Sequence, residues 1–313
     1  MSLHVLTSAL PRDLAQGSPF DRDMAADCGV GRHELQAFLE AGDIRRMLTG
    51  VYVAAAAPDD LATRLAAINL VTAPSAFIVD GSAAWLHAGD SVLAPGEHLQ
   101  LNEPTVFDER RGCRLRRKGL ASGTRDLLPT DVMEIGGVRV TTPLRTALDV
   151  ARLHHPQRGL ATVDGLLRET DLTKEEMVAE LPRFRGARWI TRGRLIVTWA
   201  DGRSQSYGES ASRLAWLTTP GLPPPQLQVP VEVDGHTFYL DLADEDLMIG
   251  VEYDGERWHG PDRADHDDAR RKLIRMLGWV LLILRRADVF GEHRQADQLL
   301  AGIFRERRAD LRR

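Results

Sequence analysis

The sequence predicts a multi-domain α/β protein: a winged helix-turn-helix over residues 1–56, a mixed α+β middle domain over residues 57–200, and an α/β sheet domain over residues 201–313. Three observations predict it. The 313 residues exceed one typical domain and are 43% hydrophobic and 27% charged, the profile of folded globular chains. Near the N-terminus, short amphipathic helices broken by glycine lead into a β pair. Near the C-terminus, carboxylates ride on strands whose apolar residues alternate with them.

Residues 23–28 read as a helix stopped by Gly29, and residues 32–41 as a second with Leu35, Phe38 and Leu39 at helical spacing, ended by Gly42. The stretch from Ile44 to Val53 turns at Gly50 and gives the two strands of a wing. Helix, turn, helix and wing make a DNA-reading shape whose second helix enters the major groove. Arg32, His33 and Gln36 would then face bases, with Arg45 and Arg46 on phosphate. The same shape also serves protein contacts.

In the middle region, residues 59–71 form an apolar-periodic helix, residues 98–103 and 112–118 read as strands, and residues 132–141 as a hairpin around Gly136-Gly137. Helices follow over 143–153, 156–168 and 173–181, the first two opening with proline. No catalytic grouping occurs here. The pair His154-His155 reads as a helix C-terminus favoured by the dipole. A helical pattern stops near Asp201-Gly202, which marks the next boundary.

The last region carries the chemistry. Ser204 and Ser206 are candidate caps for a helix holding Glu209, and residues 220–225 are a proline-rich loop leading from it to the sheet. Residues 237–242 read as a strand bearing Asp241, residues 243–246 as an acidic turn, and residues 247–255 as a second strand ending at Gly255. Glu252 and Asp254 share one face of that strand, with Ile249, Val251 and Tyr253 on the other. A regular turn centred between Asp244 and Glu245 would set Asp241 opposite Met248, so a bulge or splayed strands are needed to bring Asp241 to Glu252. Carboxylates so grouped suit a hard divalent cation such as Mg2+, whose bound water can attack phosphorus. Residues 279–284 form a buried strand. The plainer alternatives are solvated edge-strand acids, Asp244 to Asp246 as a polar turn, His259 as a structural histidine, and Asp267 with Arg270 as a surface ion pair.

Net charge of -5 gives no global attraction to nucleic acid, so DNA contacts must come from local patches. Arg110, Arg111, Arg114, Arg116, Arg117 and Lys118 crowd one segment, and Arg270, Arg271, Lys272 and Arg275 another; solvated faces are the alternative reading of both. Cys28 and Cys113 match no metal spacing, which fits a reducing cytoplasm and implies no structural zinc. No stretch of about eighteen apolar residues and no secretory leader pattern occurs, so a cytoplasmic protein without membrane contact is expected.

Gly208-Glu209-Ser210 with Arg213, then Asp241, Glu252-Tyr253-Asp254-Gly255, His259, Asp267-x-x-Arg270 and Leu277-Gly278-Trp279 resemble the DUF559 family, a Vsr-like branch of the PD-(D/E)xK nuclease superfamily. The resemblance covers about residues 201–290. It implies a restriction-endonuclease-like sheet with flanking helices, Mg2+ (or Mn2+) held by Asp241 and Glu252, and Glu209 reaching in from the first helix. The usual lysine two residues after the second acid is replaced by Asp254, leaving His259 to handle the proton or orient water. Arg270 is placed with the DNA contacts. Leu39-x-x-Gly42 with Gly50-Val51-Tyr52, then Ser82-Ala83-Ala84-x-x-His87 and Thr142-Pro143-x-Arg145-Thr146-x-x-Asp149, resemble the AbiEi antitoxin family over about residues 5–170. That resemblance implies operator binding by the winged helix and repression of its own operon, with the following domain supporting it or engaging a toxin.

Two functions follow as expectations. In one, a DNA-binding protein carries a metal-dependent endonuclease domain using Glu209, Asp241, Glu252, Asp254 and His259. In the other, an antitoxin-type repressor keeps the nuclease fold as a scaffold. RNA cleavage stays open beside the first, and oligomeric state is not set by the sequence.

Overall fold

Gly42 ends the second N-terminal helix in the left-handed region at φ 78°, its N–H bonding back to Leu39, and the glycine-punctuated start of the chain is built as its spacing predicts. The computed structural model describes residues 9–72, 76–97, 105–108, 125–233, 235–255 and 261–313, with the backbone alone for Asp108 and residues 261–268. The strands expected over 98–103 and 112–118, the arginines from 110 to 117 with Lys118, Cys113, and His259 lie outside the described residues. Two compact units result: Met1–Asp90 with Gly96–Thr146, and Ser91–Pro95 with Ala147–Arg313. The described residues form a multi-domain α/β protein with three sheets.

The first unit begins with α1 (Arg12–Ala15), β1 (Phe20–Asp21), α2 (Arg22–Asp27) and α3 (Arg32–Ala41), followed by β2 (Ile44–Leu48) and β3 (Val51–Ala54). Asp21 caps α2 by accepting from the N–H groups of Asp23 and Met24, both at 3.0 Å, which removes two orphan donors of a short helix. The strands pair antiparallel in the order β1-β3-β2. Leu35 and Phe38, the apolar stripe of α3, are buried with Leu14, Phe20, Ala25, Val30, Ile44 and Tyr52.

After α4 (Leu61–Asn69), capped by Asp60, come β4 (Ala76–Ile78), α5 (Asp80–Ala88), β5 (Val106–Asp108), β6 (Val132–Ile135) and β7 (Val138–Thr141). They form a second sheet, β5-β4-β7-β6, parallel only between β4 and β7. Two residues of the AbiEi-like signature act structurally here. His87 Nε2–H donates to the Thr141 carbonyl at 2.6 Å, and burial pushes its pKa down. Arg145 is buried against Asp131 at 2.8 Å.

The unit boundary falls within α6 (Pro143–Leu153), which α7 (Pro156–Glu169), α8 (Lys174–Glu180), α9 (Ile190–Trp199) and α10 (Tyr207–Thr218) follow. His155 does not end a helix as expected; its ring accepts from the Gln157 N–H and caps α7, since Pro156 has no N–H and starts the new helix. Then come β8 (Gln226–Val233), β9 (His236–Asp244), β10 (Ile249–Asp254), α11 (Pro261–Met276), β11 (Val280–Arg285), α12 (Arg286–Val289) and α13 (Ala296–Asp310). The sheet order is β11-β10-β9-β8, antiparallel except for the parallel pair β10 and β11, between which α11 makes the crossover. Trp216, Leu242, Ile249, Val251, Leu284, Leu300 and Phe304 centre its core. Among the described residues no helix is long and apolar enough to cross a membrane.

Inside this unit Asp164 of α7 is fully buried and paired with Arg213 of α10, whose other guanidinium nitrogen donates to the Trp199 carbonyl. The Asp201 N–H adds a bond to Asp164 at 2.8 Å. Such a pair is costly to desolvate and still costlier to break on one side.

Candidate functional site

Glu209 enters the site from the first turn of α10. Ser206 caps that helix by accepting from the Glu209 N–H at 3.1 Å, and Glu209 Oε2 in return accepts from the Gln205 N–H at 2.7 Å and from Gln228 Nε2 at 3.1 Å. The helix lies close to β10 because residue 208 is glycine. A Cβ there would sit 1.9 Å from the Tyr253 ring, so any larger residue would push α10, and Glu209 with it, off the sheet.

Asp241 and Glu252 meet across the β9–β10 pair, and the expected hairpin register is corrected. Asp244 pairs with Ile249 and Leu242 with Val251 without a register shift, and continuing that register brings Asp241 beside Glu252, next after the last paired residues. The reason lies in the loop. Asp244 is not a solvated turn residue but the buried end of β9, its Oδ1 accepting from the Leu247 N–H at 2.9 Å, and Met248 takes a left-handed φ of 51°. These shift the turn two residues toward the C-terminus.

Asp241 Oδ2 accepts from the Tyr253 N–H at 2.8 Å. Burial, with the nearby Glu209 carboxylate adding to it, raises the Asp241 carboxyl to about 7; the Tyr253 bond works against that shift, and the Glu252 carboxylate adds to it. Burial likewise pushes the Glu209 carboxyl up. Carboxylates from α10 and β10 therefore both act electrostatically on Asp241 of β9.

Glu252 is 4% exposed. Both its oxygens are held from α11: Arg270 Nη2 donates to Oε1 at 2.6 Å and Arg271 Nε to Oε2 at 3.3 Å, while Arg271 Nη2 reaches Asp254 Oδ2 at 3.2 Å. Arg270, expected on DNA or on Asp267, thus has its terminal nitrogen on Glu252. Its buried Nε has no partner. Among the described residues no three His, Cys, Asp or Glu side chains are set around one point as ready metal ligands. Sequence reasoning missed Gln228 and the role of Arg271, because a contact across 17 to 19 residues leaves no local pattern.

In the first unit, Arg32, His33 and Gln36 lie on the exposed face of α3 and Arg46 is exposed on β2. Gln36 donates to Glu40 at 2.9 Å. Arg45 differs from its expected free placement, donating to the carbonyls of Ala57 and Pro58 at 3.3 Å.

The chain is 31% identical over 283 residues to the Mycobacterium tuberculosis protein Rv2248 of strain H37Rv, an alignment covering 88% of this chain and 96% of that protein. It belongs to the Rv2248 family. Protein MT2308 of Mycobacterium tuberculosis strain CDC 1551 / Oshkosh matches at the same 31% and the same coverage; both relatives are described as uncharacterised. Within this Rv2248-family chain, residues 75–197 match the AbiEi antitoxin C-terminal domain. That segment runs from β4 through α9. The alignment over 88% of the chain necessarily takes in most of the residues after 197 as well, where the carboxylates lie.

Proposed function

We propose that this protein is a DNA-binding regulator of the antitoxin type, working through three segments: a winged helix over residues 1–56 that seats duplex DNA, an AbiEi-type segment over residues 57–200, and a nuclease-like sheet domain over residues 201–313. The observation that carries this reading is the AbiEi antitoxin match. The exposed Arg32, His33 and Gln36 on α3 support it, since the side chains a recognition helix would present to base edges are unburied. The partners are operator DNA and a toxin protein, in a cytoplasmic setting. The test is fluorescence anisotropy of the full chain on duplex DNA from its own promoter against unrelated duplex, with Arg32→Ala and Gln36→Ala beside the native chain. Equal affinity for both duplexes would defeat it.

A second reading has its own support in the Glu209, Asp241 and Glu252 group: metal-dependent hydrolysis of phosphodiesters. The donor set is of the kind Mg2+ or Mn2+ takes, carboxylate oxygens of Asp241 and Glu252 on neighbouring strands with Glu209 near Asp241, although two arginines now hold Glu252. Asp241 and Glu252 would hold the ion, Glu252 on release from Arg270 and Arg271, with Glu209 alongside. A bound divalent ion supplies a lowered pKa for its water and charge for the phosphate. Asp254 is held by Arg271, and the proton role is assigned to His259. Cleavage of plasmid or single-stranded DNA with Mg2+ or Mn2+ against chelator, comparing native chain with Asp241→Ala and Glu252→Ala, decides this reading. Cutting unaffected by either substitution would defeat it.

A further inference from the structure

From the end of α8 into the first turns of α9 the chain reads Leu181-Pro-Arg-Phe-Arg-Gly-Ala-Arg-Trp-Ile-Thr-Arg-Gly-Arg194, five arginines without one acid in a protein whose net charge is -5. Arg183 pairs with Glu180 at 2.7 Å, and Arg192 Nε donates to the Arg152 carbonyl at 3.2 Å. Arg185, Arg188 and Arg194 are exposed and form no ion pair among the described residues. In their midst stands Trp189, 52% exposed, at a left-handed φ of 64° just before α9.

Those features are hard to reconcile with a merely solvated face. Tryptophan is highly buried on average, and a bulky residue in the left-handed region is an outlier that marks a functional constraint where packing does not demand it. Here the indole is turned outward and carries two guanidiniums, Arg188 at 5.4 Å and Arg192 at 5.2 Å from the ring centroid. Phe184, itself buried, is flanked in the same way by Arg152 and Arg183. Interleaved arginine and aromatic side chains, with a half-open indole, make a platform for a base and charges for the phosphates on either side of it.

We propose that residues 182–194 form a second nucleic-acid contact, which binds a single-stranded polynucleotide by stacking an unpaired base on Trp189 while Arg185, Arg188 and Arg194 take phosphates. An acidic polypeptide such as polyglutamate would use the charges but has no base to stack on the indole. Stacking needs a base free of its partner, which separates this surface from the duplex proposed for α3. DNA and RNA share the chemistry, and the sugar is read by experiment.

The test uses the full chain and fluorescein-labelled twelve-residue oligo(dT) and oligo(U), followed by anisotropy across a salt series. The native chain is expected to bind at least one of them, the preferred one naming the sugar. Trp189→Ala is expected to weaken binding about tenfold or more, and Trp189→Phe to keep most of it. Arg185→Gln/Arg188→Gln/Arg194→Gln is expected to lower the slope of log affinity against log salt by about two, at roughly 0.7 per phosphate. All four positions are exposed, so circular dichroism should stay native. Binding unchanged in these variants, binding lost instead in Arg32→Ala, no binding by the native chain, or equal binding of polyglutamate that ignores Trp189→Ala would each overturn the proposal.

Discussion

The Tyr253 backbone N–H donates to Asp241 Oδ2 at 2.8 Å, across the strand pair that also brings Asp241 beside Glu252. One strand thus supplies both a bond that steadies the Asp241 carboxylate and a charge that opposes it. Burial, then the Glu209 charge, outweigh that bond, with Glu252 adding a smaller push, and the carboxyl is raised to about 7.

A pH dependence of stability follows. The folded-state pKa of Asp241 lies above its unfolded value near 3.8, so its contribution is fully present below pH ~4 and is lost as pH rises through about 7. Asp241→Asn, which has no charge to bury, should gain on the native chain over that window, by about 4 kcal/mol at pH 8 in chelator and by nothing at pH 3.5. Urea denaturation at the two pH values measures it. Added Mg2+ should narrow the pH 8 gap if the ion binds there.

Arg270→Gln should cost about 1–2 kcal/mol near neutral pH, less than for a fully buried pair because Arg271 still holds Glu252 and Arg270 is partly exposed. The same variant should bind Mn2+ more tightly in calorimetry, since Glu252 Oε1 is freed. Weaker Mn2+ binding would argue against the metal reading.

Gly208→Ala should destabilise by about 1–3 kcal/mol, the range for overpacking a filled site, because its Cβ meets the Tyr253 ring. Pairing it with Tyr253→Ala should recover part of the loss in thermal melts. No recovery would mean that α10 and β10 do not meet at this point.

On α3, Arg32→Ala and Gln36→Ala should each lower affinity for the specific duplex by about 1–3 kcal/mol, and Arg46→Ala should reduce the salt slope by about one on any duplex. Arg45→Ala should do less to the slope and more to stability, because its guanidinium serves the Ala57 and Pro58 carbonyls.

The helices and strands that bear the site were legible because their signals are local: alternation on β9 and β10, Ser206 ahead of Glu209, glycine after α3. What decided the geometry was not. A turn two residues later than the regular one depends on Asp244 binding the Leu247 N–H and on methionine at a positive φ, which no composition rule favours. Arg271 on Asp254 and Gln228 on Glu209 join residues far apart in the chain, and of α9 only the end near Asp201 was legible, not its start or the outward Trp189 before it.

The Asp164–Arg213 pair bears on how this protein can be handled. A chain cut near residue 200 would keep a carboxylate sealed in its interior without the guanidinium that neutralises it, and the discarded piece would keep the reverse. The later part of the antitoxin-like segment, from residue 147, and the acidic sheet belong to one compact unit, and dissection of this protein is better done by point substitution than by truncation.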